Sequence, residues 1–105
     1  MNDRMDKINE LLKRELGKMI VLYLDDSIAS ITEVDTGRDL SNSKVYIVTL
    51  NDDKKVVDKL NHNAKEIRKE LAKKVILRKI PALNFILDTT ESNANHIENL
   101  INNSR

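Results

Sequence analysis

Between Lys54 and Lys79 the chain carries ten lysines and arginines against only Asp58, Glu66 and Glu70. That is a net +7 inside a 105-residue chain whose total is +1. Ammonium and guanidinium groups gathered in this way neutralise phosphates and release their condensed counterions. The plain competitor is a solvated helix face laced with intrahelical ion pairs. Other chemistry finds less support. The only glycines, Gly17 and Gly37, open no strand-to-helix phosphate loop, which argues against nucleotide hydrolysis. His62 and His96 are too far apart in sequence to form a local ligand pair, and there is no cysteine, so no metal is expected. Asp25-Asp26 and Asp52-Asp53 are paired carboxylates, but neighbouring side chains diverge, and turns and helix caps use aspartate at such places. The serines lie in no nucleophile-elbow pattern. The residues point away from an enzyme, with no catalytic residue, cofactor or small-molecule substrate implied.

The charge is sorted by region. Residues 1–22 sum to +1, and residues 23–43 to −4, with Asp25, Asp26, Glu33, Asp35 and Asp39 opposed only by Arg38. A length of 105 residues with 40% hydrophobic content suits one domain, residues 1–105, with a core that needs no disulfide or metal. The absence of cysteine suits a reducing compartment. The longest apolar run, Met19 to Leu24, is far short of a membrane span, and Met1-Asn2-Asp3-Arg4 opens no signal peptide, so a cytoplasmic monomer without membrane contact is expected. Tyr23, Tyr46 and Phe85 are the only aromatics, too few to grip bases by stacking. A basic surface of this kind would follow the backbone path and shape of folded RNA rather than read its bases.

Periodicity supplies the elements that must carry these charges. Met5, Ile8, Leu12, Leu16, Met19 and Tyr23 recur at three- and four-residue steps and predict a first helix from Asp3 to Leu24. Two strands follow, about Ile28 to Asp35 and about Ser43 to Asn51, most simply an antiparallel pair joined by the loop Thr36 to Asn42. Asp52 and Asp53 offer an N-cap, and Val56, Val57, Leu60, Ala64, Ile67, Leu71 and Val75 form a helical stripe. The same spacing aligns Lys55, His62, Lys65, Lys69 and Lys73 on the opposite face, with Arg68 and Lys74 flanking. Asn61-His62-Asn63 interrupts the good helix formers, so one rod and two helices meeting at a bend are both open. Pro81 should mark the start or an edge of a third strand through Leu83, Phe85 and Leu87. From about residue 91, Ile97, Leu100 and Ile101 suggest a weak terminal helix. The expected class is α+β, with helices on one face of a small three-stranded sheet.

Four stretches have a more particular character. They are Arg4-Met5-Asp6-Lys7-Ile8 with Lys13-Arg14-Glu15-Leu16; Val34 through Ile47, containing Asp39-Leu40 and Ser43-Lys44-Val45-Tyr46; Ile67-Arg68-Lys69-Glu70-Leu71 leading through Arg78 and Pro81 to Phe85; and Asp88 with Ile97-Glu98-Asn99-Leu100-Ile101. Together they resemble the ribosome-binding factor A family of bacterial small-subunit assembly factors, and the element order resembles the type II KH fold. The family typically kinks its central helices at an alanine, any residue, glycine motif. The aligned positions here read Asn63-Ala64-Lys65, so the kink would be made by Asn63 or be shallower. Ser43 replaces the usual alanine before Lys44.

The resemblance implies a non-catalytic protein that binds the free small (30S) ribosomal subunit and its 16S rRNA during late maturation and rRNA processing, and leaves before translation. Charge placement nominates Lys55, Lys65, Arg68, Lys69, Lys73, Lys74, Arg78 and Lys79 for RNA backbone contact, with Arg38 and Lys44 as a second patch; Arg68 and Arg78 also match family positions. The alternative is a protein-interaction module that docks a partner through the 53–75 helix without touching RNA.

Overall fold

The computed structural model describes residues 3–89. The weak helix expected from about residue 91, and His96 with it, lie outside those residues. Helix α1 spans Asp3–Ile20 and turns Ile8, Leu12, Leu16 and Met19 into the core. Its expected continuation to Leu24 tightens instead into a 3-10 turn over Val21–Tyr23, closed by Leu24 N–H donating to the Val21 carbonyl. Such a turn gives terminal carbonyls partners that the α pattern leaves unmade. Asp25, with φ of 54°, then redirects the chain. Gly17 lies inside α1, and a Cβ built on it meets nothing within 4 Å. Gly17→Ala should therefore stabilise the protein by about 0.5–1 kcal/mol, since glycine in a helix costs that much relative to alanine; urea titration reads it as a higher midpoint at unchanged slope.

Strands β1 (Ala29–Thr36) and β2 (Asn42–Thr49) pair antiparallel, with Val34 opposite Val45 and Thr36 opposite Ser43. A register shift between Ile31 and Glu33 keeps Ile31 and Val34 both on the inner face although they are three residues apart. Strand β3 (Ala82–Leu87) lies parallel to β2 on its other side, Phe85 opposite Val45, giving the order β1-β2-β3. The inner face buries Val34, Val45, Ile47, Leu83 and Phe85 beneath the helices. The outer face carries Glu33, Asp35, Lys44, Tyr46, Asn84 and Ile86, so part of the acidic stretch faces away from the helical layer.

Between β2 and β3 run α2 (Lys54–His62) and α3 (Ala64–Ala72). Asp53 caps α2 as expected, its carboxylate accepting from the Lys55 N–H at 3.0 Å. Of the two arrangements left open, the structure has two helices meeting at Asn63. That residue sits at φ −99°, ψ 10°, and its side-chain amide donates to the Lys59 carbonyl. The break occurs at negative φ, with Lys65 inside α3, so no glycine is needed. Val75, the last residue of the expected helical stripe, is buried beyond the end of α3, where its N–H still reaches the Leu71 carbonyl. Pro81 is buried immediately ahead of β3.

Asn61 has a structural task. Its amide donates to the Phe85 carbonyl and accepts from the Phe85 N–H, both at 2.8 Å. Because β3 is an edge strand, one side chain of α2 stands in for the missing neighbour strand at that residue. Asn61→Ala removes both bonds and should cost about 1–2 kcal/mol by chemical denaturation. Asn61→Asp, which keeps the acceptor and loses the donor, should fall between alanine and the native residue at neutral pH.

Candidate nucleic-acid interface

The basic residues of the 54–79 segment divide into groups with different surroundings. Lys65 and Lys69 project from α3, Lys55 from α2, and Lys74 from the turn after α3; all are exposed. Among the described residues no ion pair within 4.0 Å engages any of these four. Their charge is therefore available to a phosphate without first breaking an internal partnership. Lys73, at the C-cap of α3, is paired with Glu70 at 3.2 Å, and Lys59 with Asp25 in the turn after α1. The break at Asn63 puts Lys55 on a different helix axis from Lys65 and Lys69, so the single stripe suggested by uninterrupted spacing is two shorter ones.

Arg68 is occupied. Its guanidinium donates through Nε at 3.0 Å and Nη2 at 2.7 Å to the Ile80 carbonyl, fastening the segment before β3 to α3. That segment carries Arg78 and Lys79. Lys79 in turn donates to Ser41 Oγ at 3.1 Å, and the Ser41 carbonyl accepts from the Ala82 N–H at 2.9 Å, so the β1–β2 loop and the approach to β3 are joined twice.

Where these two segments meet the start of α1 there is a recess of about 350 Å³, lined by Arg4, Arg38, Asp39, Leu40, Arg78 and Lys79. Leu40 is 4% exposed although its φ is 60°, a left-handed geometry that costs a branched side chain about 1–2 kcal/mol and is held here by core burial. The Asp39 carboxylate accepts from the Ser41 N–H and hydroxyl at 3.0 and 2.9 Å. Those two bonds hold its carboxyl below the usual carboxylate range. Its lone pairs are thus turned largely to its own loop.

Arg38 and Lys44 separate. Arg38 enters the recess, while Lys44 lies on the outer face of the sheet, flanked in register by Asp35 and Asn84. Among the described residues no cluster of three or more His, Cys, Asp or Glu is placed to hold a metal, and no helix is long and apolar enough to cross a membrane. The larger hollow between α1 and β1, about 630 Å³, contains none of the nominated residues.

The family model described as Ribosome-binding factor A matches residues 4–101. The chain belongs to the ribosome-binding factor A family. A ribosome-binding factor A of Vesicomyosocius okutanii is 35% identical over 102 residues, covering 93% of this chain and 90% of that one. The crystal structure of ribosome-binding factor A from Thermus thermophilus superposes with a TM-score of 0.72 at 22% identity, over 79% of this chain and 93% of that one. A homology model of the Thermus thermophilus protein, fitted into the cryo-EM map of a 30S complex, gives 0.56 at 18% identity over 72% and 90%. The expected α+β architecture is thus the one ribosome-binding factor A structures have.

Within this member of the ribosome-binding factor A family, sequence reasoning missed Arg4 as a partner of Arg38 and Arg78. Arg4 stands in the first of the matched stretches, but no periodicity connects it to the other two arginines. Only the antiparallel hairpin, the parallel third strand and the docking of α1 bring the three segments together.

Proposed function

We propose that this chain is a non-catalytic ribosome assembly factor that binds the free small ribosomal subunit and its 16S rRNA during late maturation and rRNA processing, as a cytoplasmic monomer. The observation that carries the reading is the family match across residues 4–101. The Thermus thermophilus relative fitted into a 30S map supports the partner. The exposed Lys55, Lys65, Lys69 and Lys74, which make no ion pair among the described residues, supply suitable chemistry for an RNA backbone. Docking of a partner helix on the 53–75 segment has less support, because the apolar stripe such a helix would need is turned inward: Val56, Val57, Leu60, Ile67, Leu71 and Val75 are all buried in the core.

The test is sedimentation of tagged protein with extract of its own cells. It is expected to travel with free small subunits and to be absent from assembled ribosomes. Sedimentation with assembled ribosomes, or at the top of the gradient, would overturn the reading.

A further inference from the structure

We infer that the recess between the start of α1, the β1–β2 loop and the approach to β3 is a preformed seat for one backbone phosphate of folded RNA, with Arg4, Arg38 and Arg78 as its ligating cations. The inference rests on the RNA-binding reading above and extends it to a second surface, separate from the Lys65 and Lys69 face.

Charge and geometry carry it. Four cations from three segments border a concavity of about 350 Å³ that holds one acid. Among the described residues, Arg4, Arg38 and Arg78 make no ion pair within 4.0 Å. Asp39, the one carboxylate lining the recess, accepts from Ser41 through both oxygens and offsets part of the charge of Lys79, leaving the three arginines in excess. Four like charges gathered around a single carboxylate leave a net positive recess, and a backbone phosphate relieves that excess while offering its two non-bridging oxygens to guanidinium forks.

The cations also sit on an anchored frame. Leu40 is sunk into the core beside Arg38. Lys79 and Ala82 are both bonded to Ser41, and the Arg68 fork holds Ile80 in place, two residues from Arg78. Lys79 already donates to Ser41 and so braces the wall. A seat built this way needs little reordering when the anion arrives. Arg68, by the same geometry, is a positioning residue for the recess.

The test has two arms. In the first, inorganic phosphate and then a nucleoside monophosphate are titrated into the isotopically labelled protein at constant ionic strength. Saturable shifts of the Arg38 to Ser41 and Arg78 to Ile80 amides are expected, and should be lost in Arg38→Ala/Arg78→Ala; an unsaturable drift identical in that variant would overturn the seat. A nucleoside monophosphate binding orders of magnitude more tightly than phosphate would overturn the RNA assignment in favour of a free nucleotide. In the second arm, purified small subunits are titrated at several salt concentrations. The double variant should bind about tenfold more weakly at ~0.1 M salt, with a salt slope shallower by about 0.7–0.9 for the one phosphate lost. Unchanged affinity and slope in that variant, alongside loss of binding in Lys65→Glu/Lys69→Glu, would overturn the seat's use by RNA and leave the function standing. Failure of the native protein to bind would remove both. Arg38→Lys/Arg78→Lys, which keeps charge and loses the fork, should recover part of the affinity if the fold of the alanine variant is sound.

Discussion

Reversing Lys65 and Lys69 to glutamate should abolish association with small subunits while leaving the protein folded. Both side chains are exposed on α3 and free of internal ion pairs, so their removal breaks nothing in the described structure. The exchange converts two phosphate-attracting charges into two repelling ones. An affinity loss of at least about 100-fold at ~0.1 M salt is expected, with a log–log salt slope shallower by about 1.4–1.8 for two lost contacts. Stability should stay within about 1 kcal/mol, because one like-charge pair at i,i+4 replaces another and only the reversal at Lys69, in the last turn of α3, adds a cost against the helix dipole. Lys73 is left unchanged: glutamate there would face Glu70, its present partner, near the negative end of α3, and a stability change would obscure the binding result. Sedimentation of the double variant with small subunits at native affinity would return the basic face to the status of a solvated surface.

The largest effect on stability is expected at Phe85. Its ring is 2% exposed on the inner face of β3, and its backbone is the one that Asn61 pairs from α2. Phe85→Ala removes the largest fully buried side chain and leaves a space that the sheet on one side and the helices on the other cannot both close. A loss of about 3–5 kcal/mol is expected. Against a total of roughly 5–15 kcal/mol for an ordinary domain, that removes much of the margin. Urea titration should show a much lower midpoint at unchanged slope. Phe85→Leu, which keeps most of the volume, should recover more than half of the difference; equal midpoints for the two variants would mean that the ring is not the source of the effect.

The elements were legible because their apolar periods are clean. Ile8, Leu12, Leu16 and Met19 mark one helix face, Val45 and Ile47 one strand face, and Asp53 a cap, and each lies where the spacing indicates. Interruption at Asn61-His62-Asn63 was legible too, but not its purpose: the pairing of Asn61 with Phe85 joins residues 24 apart, and no local pattern encodes it. The parallel direction of β3 was equally silent, since alternation reports which face a strand buries and not which way it runs. Charge was read correctly in sign and region but incompletely in place. Summing over residues 54–79 could not tell that Arg68 is engaged by a carbonyl, that Lys73 has a partner in Glu70, or that Arg78 and Lys79 turn toward Arg4 and Arg38. The first and the last depend on how segments distant in sequence pack, whereas the Lys73–Glu70 pair is a local i,i+3 contact of the kind a solvated helix face makes.

The parallel partnership of β2 with β3 also sets an order of assembly. The β1–β2 hairpin has only the short loop 37–41 to close, an event of microseconds, whereas β3 can join only after residues 50–81 have folded back across the sheet. Substitutions at Phe85 should accordingly speed unfolding and leave the refolding rate nearly unchanged. The recess draws on the first turn of α1, the hairpin loop and the residues just ahead of β3, so it comes into being only when the last strand docks. A nascent or truncated chain that has formed its first helix and hairpin would still lack it, with Arg4 and Arg38 placed but Arg78 not yet beside them.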